Sequence, residues 1–316
     1  MKGNVNIVYI ICSIILILSI QVSCKNNKNR KEGNYTDKVV VKELKLVEVP
    51  PMMSNPESRS KYASEHFWDN FDFNDSTYLA NRQGMNDHIS TFFFVLANTT
   101  QDVIDRSFNL FIDKFLQGDT ALRSYFMSAV ESALHDPNSR IRNESLYISF
   151  LKEFINSRHL DQATKDKYSF QLELSLKNRP GAISIDFNYI DNKNRVSSLH
   201  KTTGRYLLIF FYEPGCPSCN SIKQGILDSS AFKGMESNLT YLAIYHGEDY
   251  TAWKESINLF PSNWIVAHDI GQEIVNDKLY DVRASPTMYL LDSAYKVLLK
   301  DPDLFQLDNY LLTLQN

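Results

Sequence analysis

The stretch from Tyr206 to Ile226 constrains the fold more than any other part of this 316-residue chain. It begins with an unbroken apolar run over residues 207–212, which predicts a buried strand. A Glu-Pro-Gly turn follows, and then Cys216-Pro217-Ser218-Cys219 opens a helical pattern. The sequence therefore predicts a strand that delivers two cysteines to the start of a helix.

The start of a helix favours the chemistry of a reactive thiol. The first N–H groups of a helix have no partner within it, and the helix dipole there stabilises negative charge. A thiolate at this position is stabilised, and the thiolate is the reactive form of cysteine. We expect Cys216 at the N-cap and Pro217 at the first helical position, which suits proline. Cys219 lies one turn further on, so Cys216 is predicted to attack a disulfide and Cys219 to resolve the mixed disulfide.

The N-terminus has the features of an export signal. Lys2 is followed by an apolar segment from Ile7 to Ile20, too short for a comfortable membrane span, and then by Cys24. This resembles a bacterial lipoprotein signal, which implies a signal peptide over residues 1–23 and a lipid anchor at Cys24. The alternatives are an uncleaved membrane anchor and a plain secretory signal. All three place the body of the protein outside the cytoplasm.

The cysteine count agrees with a single redox pair. The chain has only four cysteines, too few for a disulfide framework. On the lipoprotein interpretation, Cys12 leaves with the signal and Cys24 carries the lipid, so the mature protein has one thiol pair, Cys216 and Cys219. A formal net charge of −4 and 43% hydrophobic residues are typical of a globular protein and give no sign of nucleic-acid binding.

The remaining pattern predicts an α+β protein with an N-terminal all-α helical bundle followed by an α/β domain. Residues 24–54 are expected to form a flexible tether, residues 55–178 a helical domain and residues 179–316 the α/β domain. The aromatic residues between Phe67 and Phe73 are interpreted as core, with a ligand patch as the alternative. They resemble a helical domain of unknown function in Gram-negative envelope lipoproteins. The scattered histidines match no metal-binding motif, so no metal site is predicted.

The order of elements in residues 180–316 resembles the thioredoxin fold, in particular the envelope-anchored TlpA-like thiol–disulfide oxidoreductases. The resemblance rests on the strand leading to Cys216 and Cys219, a strand predicted at Ile183–Tyr189, and Ser285-Pro286-Thr287 before a hairpin.

The resemblance has consequences for the site. It implies a cis Pro286 against the cysteine pair and backbone groups of Ser285 that bind an extended substrate, with Pro217 and Ser218 as active-site support. It also implies a periplasm-facing, membrane-anchored protein without a cofactor. Its partners would be protein thiol or disulfide substrates and a membrane redox partner. The TlpA-like relationship favours the reducing direction.

The sequence departs from this family at two positions. Phe210 stands where many thioredoxins have a buried acid, and Gly215 replaces the usual Trp before the first cysteine. Proton transfer must then use water or another acid. Glu213 and Glu248 are the candidates, although both are expected to be exposed loop carboxylates.

Three other interpretations fit the sequence less well. A non-catalytic binding or scaffold lipoprotein with a structural disulfide is disfavoured because a bridge across two residues closes a very small loop and stabilises little. Zinc needs about four ligands, and no spacing motif joins His200, His246 and His268 to the cysteines. A peroxidase would need Thr three residues before Cys216, where this chain has Glu213.

Overall fold

A computed structural model describes residues 42–315, which belong to one compact unit. The predicted signal peptide, the lipidation site Cys24 and the first part of the predicted tether lie outside the described residues. Within residues 42–315, no helix is both long enough and apolar enough to cross a membrane.

The first half of the described chain is helical. Short polar side chains cap its helices: Asn55, Asn81, Asp119, Asn143 and Asp161 each accept a backbone N–H from the first turn that follows. A 3-10 helix lies at Ser76–Asn81 and a π-helical turn at Glu131–His135. The α-helices are α1 (Pro56–Glu65), α2 (Arg82–Ala97), α3 (Gln101–Gln117), α4 (Thr120–Val130), α5 (Glu144–Asn156) and α6 (Gln162–Leu176).

An aromatic core holds these helices together. Trp68 is 4% exposed and stacks on Phe111, with ring centroids 4.9 Å apart. The edges of Phe92 and Phe126 pack against it at 5.5 and 5.3 Å. The interpretation of the Phe67–Phe73 cluster as core is therefore confirmed.

Residues 42–54, at the end of the predicted tether, contain neither helix nor strand but contact the helical region. Lys42 forms an ion pair with Asp75, and Leu44 packs against the aromatic core. The side-chain amide of Asn70 donates to the carbonyl of Leu46. This part of the chain is thus held along the helices.

A seven-stranded mixed sheet follows, in the order β2-β1-β5-β4-β3-β6-β7. Strands β3, β4 and β5 are parallel, whereas β6 pairs antiparallel with β3 and β7. The strands are β1 (Asn188–Asp191), β2 (Val196–Ser198), β3 (Tyr206–Tyr212), β4 (Leu239–Tyr245), β5 (Ile265–His268), β6 (Thr287–Asp292) and β7 (Val297–Lys300). The helices are α7 (Pro217–Asp228), α8 (Ser230–Gly234), α9 (Tyr250–Ser256), α10 (Glu273–Asn276) and α11 (Leu304–Leu314), with 3-10 turns at Leu199–Lys201 and Ile257–Leu259.

Strand β3 is buried on both faces, as its unbroken apolar run predicts. Leu208 and Phe210 belong to the core that also contains Ile226 of α7 and Leu307 of α11. Leu207 and Ile209 belong to the opposite core, with Ile274 of α10. The predicted fold class, a helical bundle followed by a thioredoxin-like α/β fold, is confirmed.

One predicted strand is misplaced. Ile183–Tyr189 alternates apolar and polar residues, but strand β1 begins only at Asn188. Before it, Ile183 makes a single bridge to Lys296, and the N–H of Ile185 donates to the side chain of Asn178 at 2.8 Å. Burial follows the apolar alternation only from Phe187 onwards, because Ile183 is 58% exposed whereas Ser184 is buried.

Polar contacts join the helices to the sheet. Lys300 of β7 donates to the carbonyls of Ser175, in the last turn of α6, and Lys177, just beyond it, both at 2.9 Å. It also pairs with Glu144 of α5 at 2.8 Å. Arg142 pairs with Asp301 at 2.5 Å. These bonds tie the helical region to the sheet edge formed by β7.

Candidate active site

Cys216 lies at the N-cap of α7, as predicted. Strand β3 ends at Tyr212, and Gly215 allows the turn with a φ of +77°, in the left-handed region that favours glycine. Pro217 takes the first helical position. The backbone N–H of Cys219 then donates to Cys216 Sγ at 3.1 Å. The helix start thus presents a hydrogen-bond donor to the sulfur of Cys216.

The two cysteines differ in exposure. Cys216 is partly exposed, whereas Cys219 is only 5% exposed. Burial, followed by its hydrogen bond with Cys216, raises the pKa of Cys219 to about 12, and a backbone hydrogen bond at Glu213 opposes this only in part. The arrangement leaves the first sulfur open to a substrate and the second shielded beneath it.

The loop before β6 reaches the same sulfur. The Ser285–Pro286 peptide bond is cis, as the family resemblance implied. The thiol of Cys216 lies 3.6 Å from the carbonyl oxygen of Ser285 and donates to it. Ser285 and Pro286 are both partly exposed, and Ser218 is exposed in the first turn of α7. The structure therefore brings together all of the site residues predicted in this half of the chain.

A cleft of about 370 Å³ opens beside the two cysteines. It is bounded on one side by Phe260 and Leu259. Lys223, one turn after Cys219, crosses it and donates to the carbonyl of Leu259 at 2.6 Å, with its ammonium 4.9 Å from the centre of the Phe260 ring. Burial lowers the pKa of Lys223. A cation thus lies next to the cysteine pair.

No acid lies within β3 near the cysteines, because Phe210 is buried there between Met288 and Ala243. Glu213 differs from the exposed carboxylate that the sequence suggested. It is partly buried, and this burial raises its pKa. Glu248 is exposed, as expected.

Sequence reasoning gave no role to His246, which is a neighbour of Glu213. It is 9% exposed, and its Nε2 lies 3.6 Å from Glu213 Oε1. Burial lowers the pKa of this imidazole. Its position could have been anticipated, because it follows β4, and neighbouring parallel strands end at the same edge of a sheet. Lys223 could similarly have been placed near Cys219, because residues four positions apart lie on the same face of a helix.

The structure is similar over most of its length to the crystal structure of a thioredoxin-like protein from Bacteroides caccae. The match has a TM-score of 0.78 and 30% sequence identity, and it covers 86% of this chain and 99% of that chain. This chain belongs to the thioredoxin-like family.

Other matches are partial. The C-terminal domain of an uncharacterized protein from Bacteroides fragilis is 35% identical, with 43% of this chain and 98% of that chain covered and a TM-score of 0.42. The thioredoxin domain of a thiol-disulfide oxidoreductase from Bacteroides vulgatus is 22% identical. The match covers 44% of this chain and 99% of that chain, with a TM-score of 0.39. No curated protein matched the chain.

The helices of this thioredoxin-like protein belong to a family of their own. Residues 22–178 match a domain of unknown function, DUF5106. The matched region ends at Asn178, just after α6, and the thioredoxin-like fold follows it. The combination of the two regions agrees with the resemblance inferred from the sequence.

Proposed function

We propose that this protein is a thiol–disulfide oxidoreductase that acts on protein cysteines through Cys216 and Cys219 and works as a reductase. The observation that carries the proposal is the environment of Cys216 Sγ. This partly exposed sulfur accepts an N–H at the start of α7 and faces the Ser285 carbonyl beside the cis proline. A structural disulfide would need none of these features.

The reaction follows from the difference between the two thiols. The thiolate of Cys216 attacks one sulfur of a substrate disulfide, and the other substrate sulfur leaves as a thiolate that takes up a proton. Cys219 then loses its proton and attacks Cys216 Sγ in the mixed disulfide. The protein disulfide forms, and the substrate leaves with two thiols.

The location and direction of the reaction are part of the same proposal. The resemblance of residues 180–316 to envelope-anchored TlpA-like oxidoreductases supports a periplasm-facing protein that receives electrons from a membrane partner. The lipoprotein-like N-terminus supports an anchor at Cys24. A protein held at the membrane in this way would act on secreted or envelope proteins, where disulfides persist.

The reduction potential of the Cys216–Cys219 pair tests the proposal. The whole chain is equilibrated with glutathione or dithiothreitol, and insulin reduction is measured in parallel with Cys216→Ser as control. We expect a reduction potential of about −270 mV together with turnover of insulin. A potential of about −120 mV would indicate an oxidant instead. A pair that stays oxidised and turns over neither way, with stability unchanged in Cys216→Ser, would contradict an enzymatic role.

A further inference from the structure

A second groove lies next to the cysteine cleft and is not used by the chemistry described above. It has a volume of about 450 Å³, within the range of about 300–1,000 Å³ typical of ligand pockets. Apolar side chains make up much of its lining: Leu174, Ile274, Val275, Tyr280 and Val282. Val275 is 44% exposed, and Leu174 is partly exposed. The groove thus offers apolar surface that this chain leaves open.

The helical region and the thioredoxin-like region each supply a wall of this groove. Leu174 belongs to α6 and Val275 to α10. Hydrogen bonds fix the two walls together. Lys177 donates to the carbonyl of Lys278 at 3.0 Å, and Asn178 donates to that of Leu279 at 2.8 Å. The groove therefore exists only where the two regions meet.

The groove reaches the residues that surround Cys216. His246 lines it and lies 3.6 Å from Glu213, which lines the cysteine cleft. Arg283 also lines it, two residues before Ser285, whose carbonyl is 3.6 Å from Cys216 Sγ. A polypeptide joined to Cys216 and running along this loop enters the groove within a few residues of its cysteine.

The charges around the groove argue for a polypeptide rather than an anion or an acidic membrane surface. Glu248 and Asp281 are balanced by Lys278 and Arg283. With the two signs matched, the apolar lining is left to decide what binds. The adjacent thiol then restricts the occupant to a chain that carries a cysteine.

We propose that this groove is a substrate-binding site for the apolar residues that flank the reacting cysteine of a protein substrate, and that α6 of the helical region supplies part of its specificity. The proposal rests on the proposed oxidoreductase function. It assigns a task to the helical region, which forms one wall of the substrate site.

Two synthetic peptides test the groove. Each is a decapeptide glutathionylated on one central cysteine, flanked by Leu in one peptide and by Ser in the other. Reduced protein is mixed with each peptide and the reaction rate is followed by glutathione release. The balanced reaction converts the protein dithiol and the mixed disulfide into the protein disulfide, free glutathione and free peptide thiol. We expect the Leu-flanked peptide to react about tenfold faster, because burial of a leucine side chain is worth that much or more.

Substitutions on both walls identify the site of this preference. Leu174→Ser and Val275→Ser should each lose most of the preference while retaining the rate with the Ser-flanked peptide. Leu176→Ser is the matched control, because Leu176 is a 42% exposed leucine on the same helix and does not line the groove. A preference that is absent from the wild type, or unchanged in both wall variants, would overturn the proposal. An equal loss of the rates with both peptides in the wall variants would also overturn it. So would the finding that the wild type has no peptide preference and forms a dimer that Val275→Ser dissociates.

The outcome remains decisive if the redox proposal fails. If neither peptide reacts with the wild type, the oxidoreductase function is contradicted. The groove is then judged by titration of the Leu-flanked peptide with Ser in place of its cysteine. Binding that weakens in Leu174→Ser supports the groove, and equal binding by wild type and variant overturns it.

Discussion

At the scale of single residues, the proposed active site depends on the contrast between two thiols that lie one helical turn apart. The thiol of Cys216 is reachable, whereas Cys219 is 5% exposed with a pKa raised to about 12 by burial. A thiol of that pKa is almost entirely protonated at pH 8. Because only the thiolate reacts readily, the surroundings of the two sulfurs support the proposed order, in which Cys216 attacks first.

Alkylation rates measure this contrast directly. With iodoacetamide at pH 8, Cys216 in the Cys219→Ser variant should react at least about a hundredfold faster than Cys219 in the Cys216→Ser variant. Separate variants are needed because both cysteines lie in the same tryptic peptide. Mass spectrometry of that peptide follows the modification. Similar rates would show that the second thiol is not shielded.

A second titratable residue affects stability instead of catalysis. His88 is 7% exposed in the aromatic core, beside Phe67 and Trp68, and burial lowers its pKa to about 4. The unfolded chain, with a pKa near 6.5, binds this proton more readily than the folded protein. Folding stability should therefore fall as the pH decreases from about 6.5 towards 4, by about 3 kcal/mol from this residue.

Replacing His88 by phenylalanine tests whether this residue causes the loss of stability at low pH. His88→Phe should flatten the dependence of unfolding free energy on pH between 4 and 6.5, measured by urea denaturation. His66→Phe is the control, because its side chain is 42% exposed. An unchanged pH profile in His88→Phe would assign the acid sensitivity to other groups, of which the partly exposed His135, whose pKa is also lowered by desolvation, is the first candidate.

At the scale of elements, the sequence predicts best where local and tertiary preferences agree. The buried run of β3, the cysteines at the start of α7, and α11 from Leu304 to Leu314 all lie where their patterns place them. The short helix α8 has no apolar period of its own and was not predicted. The wall formed by α6 could not be found from spacing, because it depends on contacts between residues far apart in the chain. His246 can be placed near Glu213 only once β3 and β4 are taken as parallel neighbours.

Capping gives an element-scale prediction for α4. Asp119 accepts the N–H groups of Ala121 and Leu122 at 2.8 and 3.2 Å, and its own N–H donates to the carbonyl of Phe73. Asp119→Ala should lower the free energy of unfolding by about 1 kcal/mol, because two N–H groups lose their acceptor. Asp119→Asn should retain most of the stability, since asparagine caps equally well. Equal losses in both variants, measured in urea, would trace the effect to the charge at the helix dipole.

At the scale of the whole molecule, the helical region and the thioredoxin-like region share buried polar contacts. The side chain of Lys300 is 5% exposed, and its ammonium binds Glu144 and the carbonyls of Ser175 and Lys177. Removing Lys300 would leave the two carbonyls without their donor, while Glu144, which is 34% exposed, could still be hydrated. The two regions are therefore expected to unfold together, and the groove between them depends on this coupling.

Lys300→Met tests the coupling. It should lower the free energy of unfolding by about 2 kcal/mol, chiefly because the carbonyls of Ser175 and Lys177 lose their charged donor. Lys296→Met, an exposed position just before β7, should have little effect. A loss of similar size in both variants would mean that the charge of the strand, and not the buried contact, sets the stability.

Tryptophan fluorescence can separate the two regions during unfolding, because Trp68 lies in the helices and Trp253 and Trp264 lie in the thioredoxin-like fold. Trp68→Phe leaves the signal of the sheet region, and a double Trp253→Phe, Trp264→Phe variant leaves that of the helices. With Lys300 present, the fluorescence midpoint of each probe variant should match the midpoint from circular dichroism of the same variant, and with Lys300→Met the two midpoints should diverge. If they already differ with Lys300 in place, the regions unfold independently. The wall of the groove formed by α6 would then be able to open while the redox site remained folded.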